Sequence, residues 1–386
     1  MIFEASRAKA IEKLNQFVEN NLSEYSKLRN FDFGPDNRSN ISCLSPYITH
    51  GVINELEVID KSLKKFSFAK NEKFIQEVLW RTYWKGWLEM RPQVWRDYTN
   101  DVLALAGEKQ KQPYQDAING KTSISCFNDW TKELQEYGYL HNHTRMWFAS
   151  IWVFTLNLPW QLGADFFLKY LKDGDAASNT LSWRWVAGFH TKGKHYLASE
   201  WNINKFSSKK YNNLKLNENA GCCIENKNYE IIPLQFENIN YENSLMLFHN
   251  LDFSFATKYQ TILQCNHYGM INFNSILQEH NYAKNVLELK SKINQNLQTL
   301  IKEKYNSEII IHNKEELNKI IKEKNISTII LPYLTTGYEN DFISTIKNEI
   351  NVKYLTRDYD KFCWPFATKG YFAFKEQIPK IIAKFI

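Results

Sequence analysis

Four short stretches of this chain combine side chains that can do chemistry. In NRSNISCLSPY (37–47), small hydroxyl residues precede a proline at a helix start. Such a start offers side-chain oxygens and free backbone N–H groups, which suits a phosphate and equally suits plain helix capping. In EVLWR (77–81), Glu77, Trp80 and Arg81 fall at i, i+3 and i+4, so one helical face carries a carboxylate, an indole and a guanidinium. That face can hold a nucleobase by stacking and hydrogen bonding, with Arg81 near a phosphate. It is also compatible with a Glu77–Arg81 pair beside a core tryptophan. In LHNHTRM (140–146), His141 and Arg145 are four apart, as are Asn142 and Met146. His141 and His143 are two apart, poor spacing for a helical metal pair, and no carboxylate stands beside them, so no metal is expected. DGDAASN (173–179) sets Asp173 and Asp175 around a glycine. An EF-hand does not fit, because glycine falls where a ligand is needed and the distal glutamate is missing; an Asp-Gly turn leading into a helix does. Trp183 and Trp185 follow, about 200° apart on a helix, so one of them must face a cavity or solvent.

The elements that must carry these groups divide into two kinds. The chain has 386 residues, enough for about two domains. It is 44% hydrophobic and 23% charged, which excludes a disordered chain and leaves ample material for a core. The longest apolar stretch, Met146 to Trp160, is shorter than the roughly 18–20 residues of a membrane span, and the charged, amphipathic N-terminus is unlike a signal peptide. Six scattered cysteines without a CxxC pair argue against a disulfide framework, zinc or an iron–sulfur cluster. A soluble, cytoplasmic protein is expected. The net charge of +6 admits an anionic partner without demanding one.

Eleven of the twelve tryptophans lie between Trp80 and Trp201, whereas charge divides evenly, 26 basic against 23 acidic residues in 1–207 and 22 against 19 afterwards. The composition shift therefore concerns aromatics and marks a boundary near 207. Residues 1–207 read as a helical domain, with Phe74, Val78, Leu79 and Trp87 on one helical face and Trp147 to Phe154 similar. Residues 208–240, which open with the polar SSKKYNNLKLNENAG, read as a linker. Residues 241–386 read as a smaller α/β domain with a parallel, Rossmann-like sheet. Strands are expected at Leu245–Phe248, Glu308–Ile311, Thr328–Leu331 and Val352–Leu355, and helices at Lys314–Lys324 and Glu339–Glu349. No GxGxxG or P-loop pattern accompanies them.

In this order, SCLSPYITHG (42–51), FIQEVLWRTYW (74–84), YLHNHTRMWFASIW (139–152) and LKDGDAASNTLSWRWVAG (171–188) resemble the FAD-binding domain of the photolyase/cryptochrome family, over about residues 25–205. The resemblance implies non-covalent FAD inside a helical domain. It places Ser42, Leu44 and Ser45 around the FAD phosphates, with Tyr25 in the same pocket. Arg145 and Asp173 resemble the salt-bridged pair beside the flavin ring, Asp175 and Arg81 lie close to it, and Asn179 faces flavin N5. Asn142 falls between flavin and substrate, while Glu77, Trp80, Arg81, Met146 and Trp185 fall where a flipped cyclobutane dimer is held. Trp183 and Trp160 resemble inner members of an electron-transfer chain, with Trp95 a candidate for the next. Arg81 and His143 are the expected DNA contacts.

The implied activity is a deoxyribodipyrimidine photo-lyase, splitting cyclobutane pyrimidine dimers with an electron from excited reduced FAD. The alternative is a cryptochrome-like blue-light photoreceptor without repair. The implied partner is DNA containing pyrimidine dimers, single- or double-stranded, with no membrane and a monomeric protein. There are departures. Ile41 stands where the phosphate motif usually has threonine, His143 where dimer photolyases commonly carry arginine, and the loop Lys121–Trp130 lacks the usual TGYP-like stretch.

Family members begin with an α/β domain, which here follows the flavin domain. SLMLFHNLDF (244–253) resembles that domain's first strand and loop, and ATKGYFAFK (367–375) its exit segment, so a circular permutation is expected, with a connector-like helix at the C-terminus. The residues leave open whether this domain holds a second, antenna chromophore.

Overall fold

The computed structural model describes residues 3–191, 193–225, 227–258 and 264–386. The first half is helical because its apolar residues recur at helical spacing between capped ends. The 22-residue helix Phe68–Glu89 is its axis, burying Phe74, Ile75, Leu79, Tyr83 and Leu88. Around it stand Glu55–Lys65, opened by a capping box of Asn54 and Glu57, then Trp160–Tyr170 and Ala176–Ala187.

Two expectations change here. The helix Asn142–Ser150 does not run on regularly through Phe154. Ile151–Thr155 is a π turn, which holds an extra residue and re-aims the side chains after it, and Leu158 N–H returns to Trp152 O at 3.0 Å before Pro159 ends the run. The stretch Lys121–Trp130 is a loop only as far as Ile124, and Ser125–Tyr137 is a helix. Asn128 fixes its entry, accepting from Thr122 N–H at 2.9 Å and donating to Thr122 O at 2.7 Å.

The second half contains five parallel strands among the described residues: β1 (Ser244–Phe248), β2 (His267–Ile271), β3 (Ile310–Ile311), β4 (Thr328–Pro332) and β5 (Asn351–Leu355). Their order across the sheet is β3-β2-β1-β4-β5, with Leu245 opposite His267 and Ile329, and Ile329 opposite Val352. β1 and β4 are buried at every position because helices cover both faces. Leu245 and Leu247 pack with Ile311, Ile329 and Leu331, while Met246 and Phe248 pack with Met270, Leu297 and Ile330 on the other face. The Glu308–Ile311 run pairs only at Ile310 and Ile311, on the sheet edge, and the helix expected at Glu339–Glu349 spans Tyr338–Ile346. β2 and the 22-residue helix Lys284–Tyr305 were not among the sequence expectations.

That helix joins the two halves. Leu289 and Ile293 pack with Phe3, Leu14 and Val18 of the helical half, whereas Leu297 and Ile301 pack against the sheet. The loop after β1 is bound directly, with Phe253 N–H donating to His50 O (3.1 Å) and Ser254 N–H to Gly51 O (2.9 Å). Gly51 has φ +60°, and a Cβ there would meet Asp252 Cα at 2.7 Å, so only glycine permits this approach. Residues after β5 return to the first half. Tyr359, Cys363, Tyr371, Phe374, Ile378 and Ile381 share a core with Leu79 and Tyr83. In 208–240 no helix or strand occurs among the described residues, yet Tyr211 and Leu214 are buried in that same core.

Candidate functional site

A cavity of about 600 Å³ opens inside the helical half. Four segments wall it: 41–48, 74–84, 139–149 and 167–186, with Tyr25, Arg29 and Asn30 at one side. Every site residue read from the sequence lines it except Trp160 and the candidate Trp95.

One wall is built on Asp173, which is 4% exposed. Its Oδ2 accepts from Arg145 Nη2 at 2.9 Å and from Ser45 Oγ. Arg145 is fixed in turn by Nε donating to Leu140 O at 2.9 Å. Burial opposes both charges, but the pair and its hydrogen bonds outweigh it, holding the Asp173 carboxyl below its usual range and the Arg145 guanidinium above its own. Asp175 caps the next helix, its Oδ1 accepting from Ser178 N–H at 2.8 Å while Oδ2 accepts from Arg81 Nη1 at 2.6 Å. Asn179 spends its amide N–H on Ala164 O at 2.8 Å, leaving the amide oxygen to offer a ligand.

Polar atoms remain unspent on this lining. Asp173 Oδ1, His141 Nε2 and Ser178 Oγ are buried without a hydrogen-bond partner among the described residues. His141 Nδ1 accepts from His143 N–H at 3.1 Å, so the proton sits on Nε2. Burial lowers the His141 pKa to about 4, and the ring is a neutral donor at pH 7. Buried polar atoms are normally paired, so this set is the signature of a ligand.

The opposite wall carries the carboxylate–indole–guanidinium face. The Glu77–Arg81 pair does not form. Arg81 reaches Asp175, and Glu77 is ion-paired to Arg29, a cavity residue the sequence reading missed although it lies four after Tyr25. Trp80 stacks on Tyr371 at 3.5 Å and 10°, so a residue from the C-terminal segment backs this wall. Trp185 stacks with Tyr196 at 5.9 Å, and Asn142 is exposed at the rim. His143 is held within the fold, Nδ1 against Asn30 O at 3.0 Å and the ring on Trp147 at 4.5 Å, and burial lowers its pKa.

Of the two tryptophans on the Ala176–Ala187 helix, Trp183 is the more deeply buried, 6.2 Å from the Trp152 ring and packed over Gly163. Trp160 lies one turn before Gly163, behind the lining, where it stacks on Tyr98 at 5.7 Å; Tyr98 in turn is 5.3 Å from Trp95.

A second, much smaller cleft of about 60 Å³ lies at the C-terminal ends of β1 and β4, where strand order reverses and open parallel sheets bind ligands. It is closed by ion pairs between elements. Lys290 stands 3.6 Å from Glu339, while Arg357 bonds Asp360 through Nε (2.6 Å) and Glu55 through Nη1 (3.2 Å).

Comparisons with known proteins find relatives for part of the chain. A family model described as the FAD binding domain of DNA photolyase matches residues 74–215. A deoxyribodipyrimidine photo-lyase of Vibrio cholerae is 26% identical over 200 residues, 50% of this chain and 41% of that protein. One from Streptomyces griseus is 31% identical over 152 residues, 39% of this chain and 32% of that protein. A crystallised bacterial class III photolyase from Agrobacterium tumefaciens aligns with a TM-score of 0.46 and 25% identity, over 53% of this chain and 43% of that one. The chain spans about two fifths of the length of the curated relatives it matches. The large cavity fits FAD: it lies in the size range of cofactor pockets, and its unspent donors and acceptor suit the polar edge of a flavin.

Proposed function

Its helical half places this chain in the photolyase/cryptochrome family, and on that footing we propose a light-driven DNA repair flavoprotein that splits cyclobutane pyrimidine dimers. The observation that carries the reading is that one cavity brings together the Asp173–Arg145 wall and the Glu77–Trp80 face. Reduced FAD, when bound, supplies the light-excited electron that opens the cyclobutane ring and receives it back.

The chain's own residues do the rest. Ser42, Ser45 and the start of the Ser45–Thr49 helix, with Leu44 and Tyr25, hold the phosphate end of the cofactor. Asp173, Arg145, Asp175 and Asn179 hold its ring, the buried pair excluding water from that side. Trp80, Trp185 and Met146 offer apolar surface to the saturated rings of the dimer, Asn142 stands between the two ligands, and Glu77 accepts from the dimer's N–H edge. A flipped lesion costs less than a sound base pair because its stacking and pairing are already weakened. Trp183 and Trp160 serve as the relay that keeps the cofactor reduced. Arg81, held by Asp175, and His143, held by Asn30 O, border the path of the strand at the rim. The protein acts as a cytoplasmic monomer, a helical flavin domain followed by a permuted α/β domain that clamps it.

The test mixes chemically reduced, FAD-loaded protein with thymine-dimer oligonucleotides and follows thymine absorbance in blue light and in darkness. Recovery in light alone is the expected result. No recovery with reduced flavin bound would replace the repair reading with the photoreceptor.

A further inference from the structure

Both rim residues nearest the cavity mouth are committed within the fold. Arg81 is bonded to Asp175, and His143 is a half-buried ring bonded to Asn30 O. A strand crossing the mouth therefore needs other contacts, and a continuous aromatic ridge starts there. Arg29 and Asn30 line the cavity, and the same segment continues into Phe31 and Phe33, whose rings stack at 5.7 Å. Phe31 meets Phe206 edge-on at 5.0 Å, and Phe206 lies 5.1 Å from the His143 ring. On the Glu200–Phe206 helix, the Lys205 ammonium sits 4.8 Å over Trp201, about one turn earlier, and 5.2 Å over the adjacent Phe206. Trp201 is 67% exposed and Phe33 37%, unusual for large aromatics on a soluble surface.

The turn after this helix adds basic groups. Ser208 and Lys209 both have left-handed backbones, at φ 57° and 59°, an uncommon state for non-glycine residues, and Lys209 N–H donates to Asn204 O at 2.9 Å. This sets Lys209 and Lys210 beside the ridge. Of the acidic groups here, Glu200 is spent on Asn213 N–H at 2.7 Å and Asp129 on Lys210 at 3.1 Å, while Asp36 is exposed.

We propose that Trp201, Lys205 and Phe33 form a stacking platform for unpaired bases of the DNA strand flanking the cavity mouth. The inference rests on the DNA reading above and extends it to the kind of strand preferred. Exposed indole and phenyl faces accept any unpaired base, an ammonium serves the adjacent phosphate, and a paired duplex presents no free faces to either.

The experiment measures binding of FAD-loaded protein to a plain oligothymidylate, to a single-stranded thymine-dimer oligonucleotide and to its duplex, across a salt series. Trp201→Ala is expected to weaken oligothymidylate binding about tenfold with flavin content unchanged, and Trp201→Phe to restore most of it. Lys205→Ala is expected to reduce the log–log salt slope on single strands by about 0.7. Unchanged affinity in Trp201→Ala, or an equal loss in Trp201→Phe, would overturn the platform while leaving repair intact. Wild-type protein that binds none of the three oligonucleotides would overturn both the platform and the DNA reading.

Discussion

The two clefts share a loop, since Ile48, Gly174 and Asp175 line both, yet they are built in opposite ways. In the large one, charges pair along the wall and several buried donors and acceptors are left over. In the small one, Lys290 pairs with Glu339 and Arg357 with Asp360 inside the second half, while Arg357 also reaches across the junction to Glu55. Burying a polar atom without a partner costs free energy until something binds it, whereas charges already paired with one another offer a ligand less, with Trp364 Nε1 the buried donor left over in the small cleft among the described residues. The first arrangement is a site and the second is a latch.

The contrast breaks most sharply at Arg357. Arg357→Ala leaves Glu55 and Asp360 facing each other in a buried space, and a loss of about 3–5 kcal/mol is expected in chemical denaturation, with flavin affinity following stability. Asp173→Asn should do the reverse. It removes the charge that compensates Arg145, so flavin retained through purification should fall below about a tenth while the denaturation midpoint of the apoprotein moves less than in Arg357→Ala. Equal destabilisation by the two variants would erase the distinction between site and latch.

Acidification acts on both halves in the same sense. His141 in the cavity and His249 at the end of β1 are both neutral, with burial lowering each pKa to about 4. A depressed histidine pKa means that the unfolded chain takes up the proton first. Its stabilising contribution is present above the ordinary value near 6.5 and is lost as the pH falls toward about 4. The denaturation midpoint should drop between pH 7 and pH 5, and His141→Gln should flatten that dependence. The smallest effect is expected at Tyr371→Phe. It deletes the hydroxyl donating to Gln76 O at 2.7 Å, about 1 kcal/mol in thermal or denaturant unfolding, while keeping the ring against Trp80 and hence the repair rate.

Much of the cavity was legible because its residues come in local runs. Asp173, Asp175 and Asn179 sit on one turn and the helix it opens, and Glu77, Trp80 and Arg81 on one helical face, so spacing made each set local while the family resemblance singled the sets out as a site. What joins one run to another was not legible. The partner of Glu77 is 48 residues away and that of Trp80 lies 291 positions later, and no periodicity encodes such pairings. β1 and β4 announced themselves as unbroken apolar runs, whereas β2, HYGMI, contains a histidine and a glycine and does not read as one. The Lys284–Tyr305 helix did carry a signal in Val286, Leu289, Ile293, Leu297 and Ile301, but lysines and glutamines between them mask how many of its faces are covered.

The return of the last residues to the first core also sets a timetable. Trp80 is made early, but the ring that stacks behind it belongs to Tyr371, on the far side of the whole sheet. At about 5–20 residues per second, roughly 15–60 s of translation separate the two. Through that interval the Trp80 wall of the cavity stands without its backing, and the sheet emerges before the core of the helical half is complete. Nascent chains arrested before residue 371 therefore lack the ring that backs Trp80.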